Sequence, residues 1–155
     1  SVMPIFCSTY MNTQGTGASQ VIAGGNSSMQ TGWQYSGPAS AGTASAKFTG
    51  SISYDGRGAW FMICSNTRSN ANHVGGFGVL RITKGYGGDA SGAFSTLYGS
   101  SFVMTQDNSG SSFSIVITAE GSAGGTDVPN HISVICIGNN NGTDITVDCG
   151  GGLTA

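Results

Sequence analysis

Residues 47–64 read KFTGSISYDGRGAWFMIC and carry the clearest strand signal of the chain. Apolar and polar residues alternate over residues 47–54, which is typical of an antiparallel strand with one buried face. Asp55-Gly56 follows and favours a tight turn between two strands. Residues 59–64 are apolar on both faces, which predicts a central strand with Trp60 in the core. We therefore expect a hairpin here, with its second strand in the middle of a sheet.

The same pattern of short strands separated by turns extends over the rest of the chain. Residues of high helix propensity are scarce, and glycine interrupts almost every window of helical length. Further strands are predicted at residues 4–10, 20–23, 31–35, 76–83, 94–97, 101–105, 112–119, 131–137 and 143–149. The last two predict a closing hairpin across residues 138–142, where Gly and Asn are typical of a turn. The sequence predicts an all-β protein, a single antiparallel β-sandwich domain over residues 1–155 that is jelly-roll-like.

Low charge is the second informative feature of the chain. Asp, Glu, Lys and Arg make up 8% of the 155 residues, against about 25% in an average soluble domain. Glycine, with 27 residues, and many Ser, Thr and Asn take their place. A surface of hydroxyls, amides and backbone suits a neutral polar ligand such as a glycan, or a packed subunit of an assembly, better than acid–base catalysis. The net charge of −2 protects weakly against self-association and so hints at an oligomer.

The same composition excludes two classes of partner. The five basic residues form no stripe that could follow a nucleic-acid backbone. No apolar run approaches the roughly 18 residues that a membrane-spanning helix needs. We therefore expect neither nucleic-acid binding nor membrane insertion. The first residues lack the segments of a signal peptide, as in a mature or truncated chain.

The sequence carries no pattern of catalytic or metal-binding residues. The seven carboxylates fall mostly in predicted turns, and no Gly-x-Ser-x-Gly motif marks a nucleophilic serine. His73 and His131 have no companion ligands, so we expect no catalytic residue, no metal and no cofactor. The four cysteines include no Cys-x-x-Cys pair. They fit either free buried thiols or one or two disulfides, and the sequence does not choose between these states.

Aromatic and amide-rich segments are the candidates for ligand binding. A glycan is held by an aromatic ring that packs on its apolar face and by amides, hydroxyls and a carboxylate that orient it. Trp33, Tyr35, Tyr86 and Tyr98 lie in or beside polar segments and could supply such rings. The other candidates, in two amide-rich loops and beside Tyr86, are Asn66, Arg68, Asn70, Asn72, His73, Asp89, Asn139 and Asn140.

The low charge, the Gly/Ser/Thr/Asn loops, the short strands and the closing segment over residues 132–143 together resemble one kind of viral protein. They are similar to the distal receptor-binding, or knob, domain of a bacteriophage tail fibre, tailspike or tail needle. This resemblance implies a homotrimer on the virion, exposed to the extracellular medium and without enzymatic activity. It also implies a bacterial surface polysaccharide or another host receptor as ligand, bound in loops at the tip or in grooves between subunits.

Other functions fit the same composition. One is a carbohydrate-binding module or lectin of a secreted protein, which ordered disulfides and a monomeric state would favour. Another is a structural trimeric subunit of capsid or tumour-necrosis-factor-like type, which would have no affinity for glycans. A polysaccharide-degrading enzyme is the least favoured, because it would need two carboxylates that face each other across a sugar.

Overall fold

The computed structural model describes residues 19–22, 32–36, 43–68, 73–99, 102–120, 131–139 and 143–155. Within these ranges the chain is all-β, as predicted, with ten strands and no helix. The strands are β1 (Ser19–Ile22), β2 (Gly32–Ser36), β3 (Thr43–Ile52), β4 (Gly58–Arg68), β5 (His73–Lys84), β6 (Ala90–Gly99), β7 (Phe102–Ser109), β8 (Ser112–Glu120), β9 (His131–Asn139) and β10 (Thr143–Gly150). The described segments accordingly contain no helix of the length and hydropathy that a membrane crossing requires. The strand predicted at residues 4–10 lies outside them.

The described strands form two antiparallel sheets of five strands each. Sheet 1 has the order β1-β10-β3-β8-β7, and sheet 2 has the order β2-β9-β4-β5-β6. β4 is the central strand of sheet 2, as its apolar sequence predicts. The sheets pack face to face, so each has an inner face in the core and an outer face away from it.

The core consists of alternate residues from the two inner faces, because successive residues of a strand point to opposite sides. Phe48 and Ile52 of β3 are fully buried, and so are Ala59, Phe61 and Ile63 of β4. The rings of Phe48 and Phe61 meet between the sheets, with centroids 4.8 Å apart. Each fully buried Ile or Phe side chain stabilises the fold by about 1.5–3 kcal/mol. This shared core holds the two sheets together.

Both predicted hairpins are wrong, although their strands are present. β3 pairs with β8 and β10 in sheet 1, whereas β4 pairs with β5 and β9 in sheet 2. β9 and β10 likewise belong to different sheets. Consecutive strands can belong to different sheets because an apolar face is buried only when another apolar face lies over it. Among the described strands, sequence neighbours pair only in β4–β5, β5–β6 and β7–β8.

Glycines in β5 make room for two aromatic rings at one edge of the core. A Cβ atom on Gly76 would lie 2.6 Å from Cε2 of Phe102, and one on Gly78 would overlap the ring of Phe94. The rings of Phe94 and Phe102, from β6 and β7, pack edge to face with centroids 5.1 Å apart. Glycine within a strand predicts a bend or a close approach. Here the close approach is mainly that of side chains.

Candidate functional site

Three turns are joined by hydrogen bonds at one end of the sandwich, which we call the turn end. It consists of residues 53–57, 85–89 and 110–111. Asp55 links the first two turns: Oδ1 lies 2.8 Å from Lys84 Nζ, and Oδ2 accepts a 3.2 Å hydrogen bond from the backbone N–H of Gly87. The hydrogen bond from Lys84, and after it the one from Gly87, lowers the pKa of Asp55. The ionised carboxylate therefore holds two turns in a fixed relation.

Asp89, one of the predicted ligand-binding residues, ties the third turn to the second. Its Oδ1 accepts a 2.8 Å hydrogen bond from the backbone N–H of Gly110. The carbonyl oxygen of Gly110 in turn accepts a 2.7 Å hydrogen bond from the backbone N–H of Ala90. These bonds give Asp89 a structural role at the turn end.

Two tyrosines are exposed at the turn end. Tyr54, in the first turn, is 63% exposed, and Tyr86, in the second, is 98% exposed. Tyr54 continues the apolar face of β3 in the sequence pattern, but it lies beyond the last residue of that strand and faces solvent. The predicted aromatic platform at Tyr86 is therefore accessible, and Tyr54 adds a second ring that the pattern places in the core.

Four other predicted ligand-binding residues lie at the opposite end of sheet 2. Asn66 and Arg68 are near or at the end of β4, His73 begins β5 opposite Arg68, and Tyr98 lies near the end of β6. The side chain of Tyr98 is exposed. β4 has 11 residues, each rising about 3.3 Å, so this end is roughly 30 Å from the turn end. The predicted residues therefore do not converge on one site.

The remaining predicted residues lie elsewhere in the fold. Trp33 and Tyr35 are in β2, opposite two buried residues of β9. Asn139 is the last residue of β9 and lies opposite Ala59, close to the turn end. The predicted residues outside the described ranges are Asn70, Asn72 and Asn140.

The outer face of sheet 2 carries a groove that we call the Trp60 groove. It is lined by Trp60, Val79, Arg81, Ala93 and Ser95 and has a volume of about 410 Å³. Its residues are neighbours across three strands, since Trp60 of β4 lies opposite Arg81 of β5, which lies opposite Ala93 of β6. Small-molecule sites commonly have volumes of about 300–1,000 Å³. The groove is therefore large enough to hold part of a polar ligand.

Trp60 is 45% exposed, so the prediction that it lies in the core is wrong. Its chain neighbours Ala59 and Phe61 are both fully buried. Because successive residues of a strand point to opposite faces, Trp60 points away from the core. Residues 59–64 are apolar at every position, so the sequence of β4 carries no alternation that could have placed Trp60 on the outer face.

Arg81 lies over the indole ring of Trp60, with its Cζ 5.9 Å from the ring centroid. This distance is within the range of a cation–π interaction. In the part of the chain that the structure describes, the ion pair found joins Lys84 to Asp55, and no carboxylate pairs with Arg81. The Trp60 groove therefore combines an aromatic ring, a guanidinium group without a carboxylate partner and the hydroxyl of Ser95 on an otherwise apolar floor.

The three described cysteines are free thiols with raised pKa values. Burial raises the pKa of both Cys64 and Cys136. Burial, and after it the charge of Asp148, raises the pKa of Cys149 to about 12, so this thiol stays protonated at neutral pH. Cys7 lies outside the described ranges. Within those ranges, no group of three or more His, Cys, Asp or Glu residues is placed to hold a metal ion.

Comparisons with known protein families, with curated proteins and with solved structures found no match. The Trp60 groove and the turn end are therefore the basis for assigning a function.

Proposed function

We propose that this chain is a non-enzymatic recognition domain that binds a host-surface glycan at the tip of a bacteriophage tail appendage. The observation that carries the proposal is the Trp60 groove, which opens on the outer face of a rigid sheet. A half-exposed indole ring packs well on the apolar face of a sugar, while a guanidinium group and a hydroxyl can orient it. Sites built on strands hold their side chains more firmly than sites built on loops.

The low charge of the chain supports the same assignment. A bacterial surface polysaccharide offers many hydroxyls and little apolar surface. A chain with 8% charged residues and many Ser, Thr and Asn can match those hydroxyls without desolvating many charges. The exposed ring of Tyr86 at the turn end extends this kind of surface beyond the groove.

We further propose that the sandwich is a jelly roll. The described strand order supports this, because sheet 1 contains the run β1-β10-β3-β8 and sheet 2 contains the run β2-β9-β4-β5. A jelly roll consists of two such four-stranded sheets connected as Greek keys. β6 and β7 then extend the two sheets by one strand each, on the same side of the sandwich.

We also propose that the domain is a homotrimer. The edge strands β6 and β7 carry Leu97, Tyr98 and Val103, all exposed although large and apolar. Monomeric proteins usually protect an edge strand with charge or cover it, because an open edge pairs with other chains. A neighbouring copy that packs on this edge would bury these residues. The same observation favours the second candidate function, a structural trimeric subunit without a ligand.

The test of glycan recognition is a binding screen of the purified chain against a panel of bacterial surface polysaccharides. We expect binding that Trp60→Ala weakens by about tenfold or more, since aromatic anchors carry much of the binding free energy of an interface. Tyr54→Ala is the matched control, because it removes an exposed aromatic ring from the turn end. If Tyr54→Ala abolishes binding and Trp60→Ala does not, the site is the turn end and not the groove.

The two candidate functions separate when oligomeric state is measured alongside binding. Light scattering coupled to size exclusion should give three times the mass of the chain, and Val103→Lys should lower it. Ser91→Lys is the control and should leave the mass unchanged, because Ser91 lies at the start of β6, far from Leu97 and Tyr98. A trimer that binds no polysaccharide would support the structural subunit, and a monomer that binds would support a lectin-like module.

A further inference from the structure

We propose that the Trp60 groove recognises an acidic sugar, a uronic acid within a polysaccharide, and that Arg81 binds its carboxylate. This inference rests on the proposed glycan-binding function and names the class of sugar that the same site takes. The proposed ligand is thus an acidic sugar and not the neutral glycan that the low charge of the chain predicts.

The charge of the groove is the first argument. Arg81 is the one charged residue among the five that line it, and it is exposed. The described part of the chain supplies it with no carboxylate partner. A ligand that brings its own carboxylate supplies the missing counter-charge, whereas a neutral sugar offers the guanidinium group only uncharged hydroxyl acceptors.

The orientation of Arg81 is the second argument. Its guanidinium group lies over the Trp60 ring, and Arg81 is also flanked by β4 and β6 because β5 lies between them. A guanidinium group can donate two parallel hydrogen bonds, which match the two oxygens of a carboxylate. Because the contact with Trp60 restrains the Arg81 side chain before the ligand arrives, less conformational entropy is lost on binding.

The rest of the lining fits the remainder of a sugar ring. Val79 and Ala93 form an apolar floor, and the Ser95 hydroxyl, opposite Val79 across the β5–β6 ladder, can donate to or accept from a sugar hydroxyl. The ionised Asp55 is paired with Lys84, and Asp89 is bonded to the backbone of another turn. Neither carboxylate lines the groove, so none of its lining residues repels an anionic sugar.

The experiment compares two oligosaccharides that differ only in charge: oligogalacturonate and its fully methyl-esterified form. Titration calorimetry with the purified full chain should show binding of the acid form and at least about tenfold weaker binding of the ester, since a hydrogen bond between two charged groups is stronger than one to a neutral group. Arg81→Gln should weaken binding of the acid form by about 10- to 100-fold and leave binding of the ester nearly unchanged. Arg81→Lys should recover part of the loss.

Arg57→Gln is the matched control, because Arg57 is an exposed arginine of the first turn and does not line the groove. It should leave the affinity for oligogalacturonate unchanged. Equal losses for Arg57→Gln and Arg81→Gln would overturn the inference, since binding would then follow net charge. Equal affinity for acid and ester would also overturn it, while leaving glycan recognition intact. If neither oligosaccharide binds and the screen of bacterial surface polysaccharides also detects no binding, the proposed function is overturned as well.

Discussion

The outer faces of the two sheets differ, although their inner faces are alike. On β3 of sheet 1, the residues between the buried positions are Lys47, Thr49 and Ser51, all partly exposed. On β4 of sheet 2, the corresponding positions hold Trp60 and Met62. Both strands contribute alternate apolar residues to one core. The inner positions therefore specify the sandwich, whereas the outer positions are available for recognition.

The largest expected effect is the difference in stability between a substitution on the inner face of β4 and one on its outer face. Phe61→Ala should lower the free energy of unfolding by about 3–5 kcal/mol, because it leaves a cavity in the core. Trp60→Ala, at the adjacent position, should lower it by less than half as much, since Trp60 is 45% exposed and an exposed cation–π pair is worth only about 0.5–1 kcal/mol. Chemical denaturation of both variants measures the difference. Equal losses would mean that the outer face of sheet 2 is packed like a core.

An intermediate effect is expected where sheet 2 depends on small residues. Gly78→Ala should destabilise the fold by about 1–3 kcal/mol, because its Cβ would overlap the ring of Phe94 in a packed region. Gly85→Ala is the control, since a Cβ there meets nothing within 4 Å. Thermal unfolding of both variants checks the prediction. A Gly78→Ala variant as stable as the wild type would show that both the Phe94 ring and the Ser95 carbonyl oxygen, 2.7 Å from that Cβ, move aside freely.

The smallest effect is expected at the turn end, where Asp55 links the turn between β3 and β4 to the turn between β5 and β6. The pKa of Asp55 lies below its ordinary value of 3.8, so its ionised form stabilises the fold above that pH. This contribution is lost as the pH falls below 3.8 and through the folded-state pKa. Asp55→Asn should therefore lower the Tm slightly near neutral pH and match the wild type in strong acid.

The control for Asp55 is Asp144→Asn, on the outer face of sheet 1, which should leave the Tm unchanged at either pH. Asp144 is exposed in β10, and solvent screens such a carboxylate. A Tm difference for Asp55→Asn that persists in strong acid would show that the shape of the turn, and not the charge of Asp55, carries the effect.

Strand positions were predictable because alternation is a local property. Phe48 and Ile52 are buried as the pattern of β3 predicts, and Phe113, Ile115 and Ile117 of β8 are buried in the same way. Pairing was not predictable from the same signals. Both the Asp55-Gly56 turn and the connection over residues 138–142 have the residues of a hairpin turn, yet each joins strands of different sheets.

The candidate site was predicted only in part. Tyr86 and Tyr98 are exposed, as an aromatic platform requires. They lie at opposite ends of sheet 2, however, because Tyr86 is in the turn before β6 and Tyr98 is near the far end of that strand. Trp60 and Arg81 were not among the predicted residues. They meet because β4 and β5 are neighbours, and no short segment of sequence contains both.

The sequence by itself determined that the chain is all-β, where most strands lie, and which residues of β3 and β8 face the core. These features follow from the two-residue period of a strand and from the scarcity of helix formers. Only the tertiary structure decided which strands share a sheet and which outer face carries a groove. Those features depend on apolar faces far apart in sequence, such as those of β3 and β10, being buried together in one core.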